Sequence, residues 1–189
     1  MPLTKIQSLG ITDGTIVNAD INASAGITSA KLDDLANPFG KELLHVRDEK
    51  ASGTAGGTFT SGAWQTRTLN TSLTNEISGA SLSSNQIILP SGTYYIDAIA
   101  EVYTGENHKL KLRNITDSSD VLIGSSNYSS GSGFVAGNSR VIGRFTISSQ
   151  KTFELQHRCS ATVSGNGFGA SCSFSVVEVY ADVKIWKVT

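Results

Sequence analysis

The chain has 189 residues, a formal net charge of −1, and 16% charged against 39% hydrophobic side chains, so it has room for one ordinary domain and a short appendage rather than two full cores. That balance leaves no basic surface to draw a phosphate backbone or an anionic lipid, which argues against nucleic acid and membrane as partners. Gly, Ser and Thr make up roughly a third of the residues, a composition of strands and turns rather than helices.

The opening Met1-Pro2-Leu3-Thr4-Lys5-Ile6-Gln7 lacks the basic end and apolar run of a signal peptide, so the expectation is a protein made in the cytoplasm. Ile6, Ile11, Ile16, Ile21, Ile27 and Leu32 then recur every five residues, with one six-residue step between Ile21 and Ile27. This period is neither that of a helix nor that of a plain strand. Gly14, Ala19, Ala25 and Ala30 stand two residues before four of these positions, as tight corners around a narrow apolar axis require. Such short repeats bury too little surface alone, and neighbouring copies of the chain would supply the cover. A Ser/Asp/Asn-rich leader without fixed structure is the alternative. Asn37-Pro38-Phe39-Gly40 is strong punctuation, which divides the chain into a stem or attachment segment, 1–38, and a head domain, 43–189.

Within the head, Ala51 to Gly62 reads as a long flexible loop after the first strand. Tyr94, Ile96, Ala98, Ala100 and Val102 then line one face of a strand, and Leu110 and Leu112 alternate with Lys109, Lys111 and Arg113 in the next. The same alternation returns in Val141, Gly143, Phe145 and Ile147, and again in Phe153, Leu155, His157 and Cys159. These patterns predict half-buried antiparallel strands, with turns at 117–120, 148–150 and 164–167. Cys172 to Val188 is apolar on both parities and predicts one long central strand, with Tyr180, Val183, Ile185 and Trp186 serving either the core or a subunit interface. The fold class is therefore all-β, a sandwich.

Gly92-Thr93-Tyr94-Tyr95-Ile96 and the ending Tyr180-Ala181-Asp182-Val183-Lys184-Ile185-Trp186 resemble the C1q/TNF-like jelly roll, over roughly Leu43 to Thr189. The leader, Ile11 to Asn22, resembles N-terminal segments of tailed-bacteriophage virion proteins, in which a thin stem precedes a C-terminal head. The resemblance implies a homotrimer, with three jelly rolls around one axis and three leaders bundled into an extended pentad-repeat stem or anchor. It also implies a virion location, with other virion proteins as partners through the N-terminal segment and a host surface glycan or protein as a partner of the head. Eukaryotic members carry a collagen stem and a signal peptide; neither is read here, which argues against a complement or cytokine role.

Little in the chain points to catalysis, and no enzyme activity, cofactor or metal is expected. His45, His108 and His157 are scattered, with no Asp, Glu, His or Cys at ligand spacing, and His157 reads as a satisfied, half-buried side chain. Gly165-Asn166-Gly167-Phe168-Gly169 lies between two strands with no helix behind it, so it reads as a turn rather than a phosphate loop. Carboxylate pairs that cleave sugars are spatial rather than sequential, which keeps a glycan-modifying enzyme as an outside reading. Cys159 and Cys172 read first as small core residues; both lie six residues from the Gly165-Asn166 turn, so a disulfide across a hairpin is the second reading. For glycan binding the exposed candidates are Tyr103, Glu106, Asn107, His108, Asn127 and Tyr128, near predicted loops where an aromatic face and amides can meet a sugar. The function expected is that of a trimeric structural protein of a bacteriophage virion, a tail fibre or receptor-binding type. A capsid decoration, cement or head-fibre protein that stabilises the shell is the alternative, and the brevity of the leader favours it.

Overall fold

The computed structural model describes residues 42–130 and 136–188. The stem positions Ile6, Ile11, Ile16, Ile21, Ile27 and Leu32 lie outside the described residues.

The period-two segments of the sequence become strands, all paired antiparallel. They are β1 (Glu42–Lys50), β2 (Gln65–Thr66), β3 (Thr71–Asn75), β4 (Ser81–Ser83), β5 (Gln86–Leu89), β6 (Gly92–Tyr103), β7 (Glu106–Asn114), β8 (Ser119–Ser129), β9 (Ala136–Ile147), β10 (Lys151–Cys159) and β11 (Glu178–Lys187). There is no helix among the described residues. One sheet runs β3-β1-β11-β6-β9 and the other β4-β5-β10-β7-β8, with β2 added to β10. From β5 onward the chain passes repeatedly between the two sheets. With the N-terminal β1 and the C-terminal β11 side by side, this is the connectivity of a jelly roll.

The core lies between the sheets and is filled from both by the inward parity of each strand. Tyr94, Ile96, Ala98, Ala100 and Val102 of β6 face Leu110 and Leu112 of β7 and Phe153 and Leu155 of β10 across the sandwich, all buried. The Phe145 ring lies 5.6 Å from Tyr94 and 5.5 Å from Phe153, a spacing at which tilted or offset aromatic rings attract. Val183 of β11 is fully buried, in register between Val46 of β1 and Ala98 of β6. Val183→Asp would place a carboxylate there with no partner. We expect a loss of about 4 kcal/mol or more, read as an unfolded circular dichroism spectrum or a collapsed denaturation midpoint; a normally folded variant would contradict this placement.

β11 corrects the reading of the C-terminal segment in two ways. It begins only at Glu178, and the apolar residues before it are in solvent, Phe174 at 77% and Val176 at 65% exposure. The apolar character on both parities has a local cause as well. Asp48 pairs with Ala181 and Glu49 with Val179, so Tyr180 is an extra residue in β11. This bulge switches the inward parity from even to odd positions, and Tyr180, Val183 and Ile185 are therefore all buried in one subunit's core. Trp186 is half-buried on the outer face, 6.1 Å from the Tyr95 ring. Cys172 is exposed and free, which removes it from the core, while Cys159 is buried and also free.

The Gly/Ser/Thr-rich loop after β1 is pinned rather than loose. Phe59 is fully buried and stacks on Phe168 at 4.3 Å. Phe59 and Val163 exchange backbone hydrogen bonds of 3.0 and 2.9 Å, and Gly56 N–H donates to the Gly169 carbonyl at 2.8 Å. Gly169 sits at φ 143°, and a Cβ there would lie 2.0 Å from the Tyr180 ring, so only glycine allows the 164–169 turn to lie flat against β11.

Candidate functional site

Register across three strands of the second sheet puts Ser126 of β8, Lys109 of β7 and Arg158 of β10 in one row. Their neighbours Leu110 and Cys159 face the core, so alternation sends this row to the outer face. The pinned loop rises beside it, carrying Ser61, Gly62 and Trp64. Together they bound a cleft of about 540 Å³, lined also by Asn107, His108, Asn127, Cys159 and Ser160, a size suited to a small ligand or part of a larger one.

Trp64 is held from below. The Lys111 ammonium sits 4.3 Å from its ring centroid and reaches the Asp120 carboxylate at 2.9 Å, so a cation–π contact and a shared ion pair fix the indole at the cleft edge. Lys111 is thereby buried, against the wet face expected for it. Asp120 also accepts from Arg113 at 2.9 Å, and the bonds from Lys111 and Arg113 hold its carboxyl below the usual range. Lys109 and Arg158 have no such carboxylate: neither forms an ion pair with a described residue. Among the described residues none of those lining the cleft is an Asp or Glu.

The predicted binding residues divide. Asn107, His108 and Asn127 line the cleft. Tyr128 is 54% exposed and pairs with Asn107 in register, but does not line it. Glu106 stands at the rim, where its Oε2 accepts from the Ser160 hydroxyl at 3.4 Å. Tyr103 ends β6 in the other sheet. The expectation of exposure fails for His108, which is 4% exposed, because even positions of β7 at this end point inward. Sequence reading passed over Trp64, Lys109, Ser126 and Arg158. A lone tryptophan in a stretch of Gly, Ser, Thr and Ala was the one available signal; the Lys109–Arg158 juxtaposition needs the strand register.

Beneath the cleft lies a buried polar cluster. His108 Nδ1 and His157 Nε2 are 3.1 Å apart, and the remaining nitrogens, His108 Nε2 and His157 Nδ1, have no partner. His157 is thus fully buried and only partly satisfied, correcting the expectation of a satisfied, half-buried ring. Burial, and then the positive charge of Arg67, pushes His108 down to about 4 and His157 well below its ordinary value. Arg67 is itself fully buried, and donates to the backbone carbonyls of Glu101 at 3.2 Å, Phe168 at 3.1 Å and Tyr180 at 2.8 Å. Among the described residues no group of three or more His, Cys, Asp or Glu is arranged to hold a metal ion.

No family model matches the chain, and no curated protein matches it. Among solved structures it is similar to murine APRIL in three crystal structures. At pH 8.5 the TM-score is 0.48 with 6% identity, covering 78% of this chain and 98% of that one. At pH 8.0 and pH 5.0 the TM-scores are 0.46 and 0.47, each with 7% identity, covering 77% of this chain and 98% of the other. The jelly-roll assignment rests on the strand order of the two sheets.

Proposed function

We propose that the chain is a non-enzymatic structural subunit of a bacteriophage virion, that it assembles as a homotrimer, and that its head binds a host surface. The observation that carries this reading is the make-up of the outer face of the first sheet. On the first sheet, Ile99, Ile142 and Val179 stand exposed beside half-buried Tyr95 and Trp186. A two-pronged Arg140–Asp97 pair at 2.6 and 2.7 Å and the group of His45, Arg47 and Lys184 around Asp182 border them. Apolar residues ringed by ion pairs suit burial against a further copy of the same chain, and closed symmetry limits such contacts to a finite assembly.

The second sheet faces away from that surface and carries the cleft. A trimer joined through the first sheet presents three clefts outward, so weak individual sites add up to tight attachment on a surface with many ligands. The leader, with its resemblance to phage virion proteins, supplies the attachment to other virion proteins.

Two measurements test the reading. In analytical ultracentrifugation the full chain should sediment with three times the monomer mass. Ile142→Asp, on an exposed position, should shift it toward monomer while the circular dichroism spectrum stays the same; a parent chain that is monomeric at micromolar concentration would sink the trimer. Imaging of intact particles labelled through the head should then show it at the tail. Labelling spread over the shell would assign capsid decoration or cement instead, and unlabelled particles would remove the virion role.

A further inference from the structure

Lys109 and Arg158 are cross-strand partners, directly opposite each other in the β7–β10 register. Like charges placed in this way repel and weaken a sheet. A chain of net charge −1 has acidic residues enough to neutralise the pair, yet none of the described carboxylates forms an ion pair with either. The next two cations along β7 show the usual remedy, since Lys111 and Arg113 share Asp120 at 2.9 Å each. Among the described residues, this uncompensated pair of cations thus stands inside the cleft.

We propose that the cleft binds an acidic saccharide, with Lys109 and Arg158 clamping its anionic substituent. This deepens the host-binding reading and rests on it only for the biological source of the ligand. The remaining lining fits a sugar. The indole of Trp64, held by Lys111 at 4.3 Å, gives a flat apolar wall for sugar C–H groups. Asn107, Asn127 and Ser126 add amide and hydroxyl groups for ring hydroxyls. Arg158 can donate two parallel hydrogen bonds to a carboxylate or phosphate, and the Lys109 ammonium adds a point charge. Among the described residues the lining itself holds no carboxylate, and the one at the rim, Glu106, is engaged by the Ser160 hydroxyl at 3.4 Å. The anion in turn relieves the repulsion between the two cations, so that binding and sheet stability are linked.

The test uses the full chain and three probes: a trigalacturonate, its methyl-esterified neutral counterpart, and a neutral trisaccharide carrying a phosphate monoester. Tryptophan fluorescence and calorimetric titration at low and high salt follow binding. Trigalacturonate or the phosphorylated trisaccharide should bind at least tenfold more tightly than the neutral ester and weaken as salt rises; which of the two binds distinguishes a carboxylate from a phosphate source. Arg158→Ala and Lys109→Ala should each weaken binding about tenfold, and Trp64→Ala should weaken saccharide binding more than inorganic phosphate binding. In the absence of ligand, Arg158→Ala should melt no lower than the parent at low salt, because it removes a repulsion; a residue with a merely structural role would melt lower. Equal affinity for the neutral ester, binding unchanged in Arg158→Ala, or inorganic phosphate binding as tightly as the acidic saccharides would overturn the inference. Adsorption of the labelled chain to whole cells separates the two readings. If the parent and the Lys109→Ala/Arg158→Ala variant adsorb equally, host binding stands and the cleft is wrong. If the parent binds acidic saccharide but no cell, the cleft stands and host binding falls.

Discussion

Replacing Arg67 by methionine should cost about 3–5 kcal/mol of stability and lower the melting temperature by about 10 °C. The side chain is fully buried, and its guanidinium joins three separate segments. It donates to the carbonyl of Glu101 near the end of β6, of Phe168 in the 164–169 turn, and of Tyr180 at the bulge of β11, while lying 4.3 Å over the Phe168 ring. Methionine fills much of the same space but leaves those carbonyls without this donor, each in a dry environment. It also removes the cation that offsets the carboxyls of buried Asp48 and half-buried Glu101. Burial already raises both, and Arg67 is among the charges that draw them back. The deficit should accordingly be larger at pH 7 than at pH 5, where a raised carboxyl more readily takes a proton. Burial brings Arg67 down to about 10, against the attraction of Asp48 and Glu101, so it stays charged at neutral pH. Arg67→Lys keeps a charge and should fall between the two in urea denaturation. A methionine variant that melts with the parent would show that the three segments are held by packing alone.

Acidification should loosen the same end of the sandwich through His108 and His157, and His157→Phe should blunt the effect. With Nδ1 of one ring 3.1 Å from Nε2 of the other, one nitrogen donates and the other accepts; full protonation would set two donors against each other. Both folded values lie below the unfolded one, His108 at about 4 and His157 well below its ordinary value. The stability these rings lend is therefore fully present above about pH 6.5 and drains as pH falls toward their folded values. The limiting slope is about 1.4 kcal/mol per pH unit for each ring. Asp48 and Glu101 act with the opposite sign, because their raised values favour the folded state as they protonate. Asp182 belongs to a lower window: burial opposes its ionisation, but hydrogen bonds from Lys184, His45 and Arg47 bring it down to about 2, so its share is lost only below about pH 4. The diagnostic is thus the difference between parent and variant. Stabilities from urea unfolding between pH 5 and 6.5 should give slopes that differ by about 1 kcal/mol per pH unit on average, and parallel slopes would show that His157 does not titrate on unfolding.

Strands were legible where alternation was clean and the strand paired with both its neighbours without a register shift. β6 shows this in Tyr94 to Val102, and β10 in Phe153 to Cys159, whose inward residues are all buried. The C-terminal segment misled because apolar composition does not report burial. Cys172–Val177 is held as a loop by the Glu178 carboxylate, which accepts from the backbone N–H groups of Gly53, Cys172 and Ser173 at 2.8–3.0 Å, and by left-handed Ser173 and Ser175. A bulge then made two half-faces resemble one two-sided strand. The candidate site was partly legible, in Asn107, His108 and Asn127, since residues at strand ends beside loops border clefts. Lys109 and Arg158 lie 49 positions apart and become neighbours only through the β7–β10 register, which no local pattern encodes.

The pinned loop has a consequence for how such a head can diversify. Phe59 locks it on one side through its pairing with Val163, and Gln65–Thr66 locks it on the other by joining β10. The residues between these two posts form the cleft wall yet carry little of the core, so mutation can rewrite them while folding is left intact. Lys109 and Arg158, in contrast, sit within paired strands and are constrained by the sheet. A lineage built on this scaffold would therefore vary at 60–64, and so in the shape of its cleft, before it varies in the paired strands.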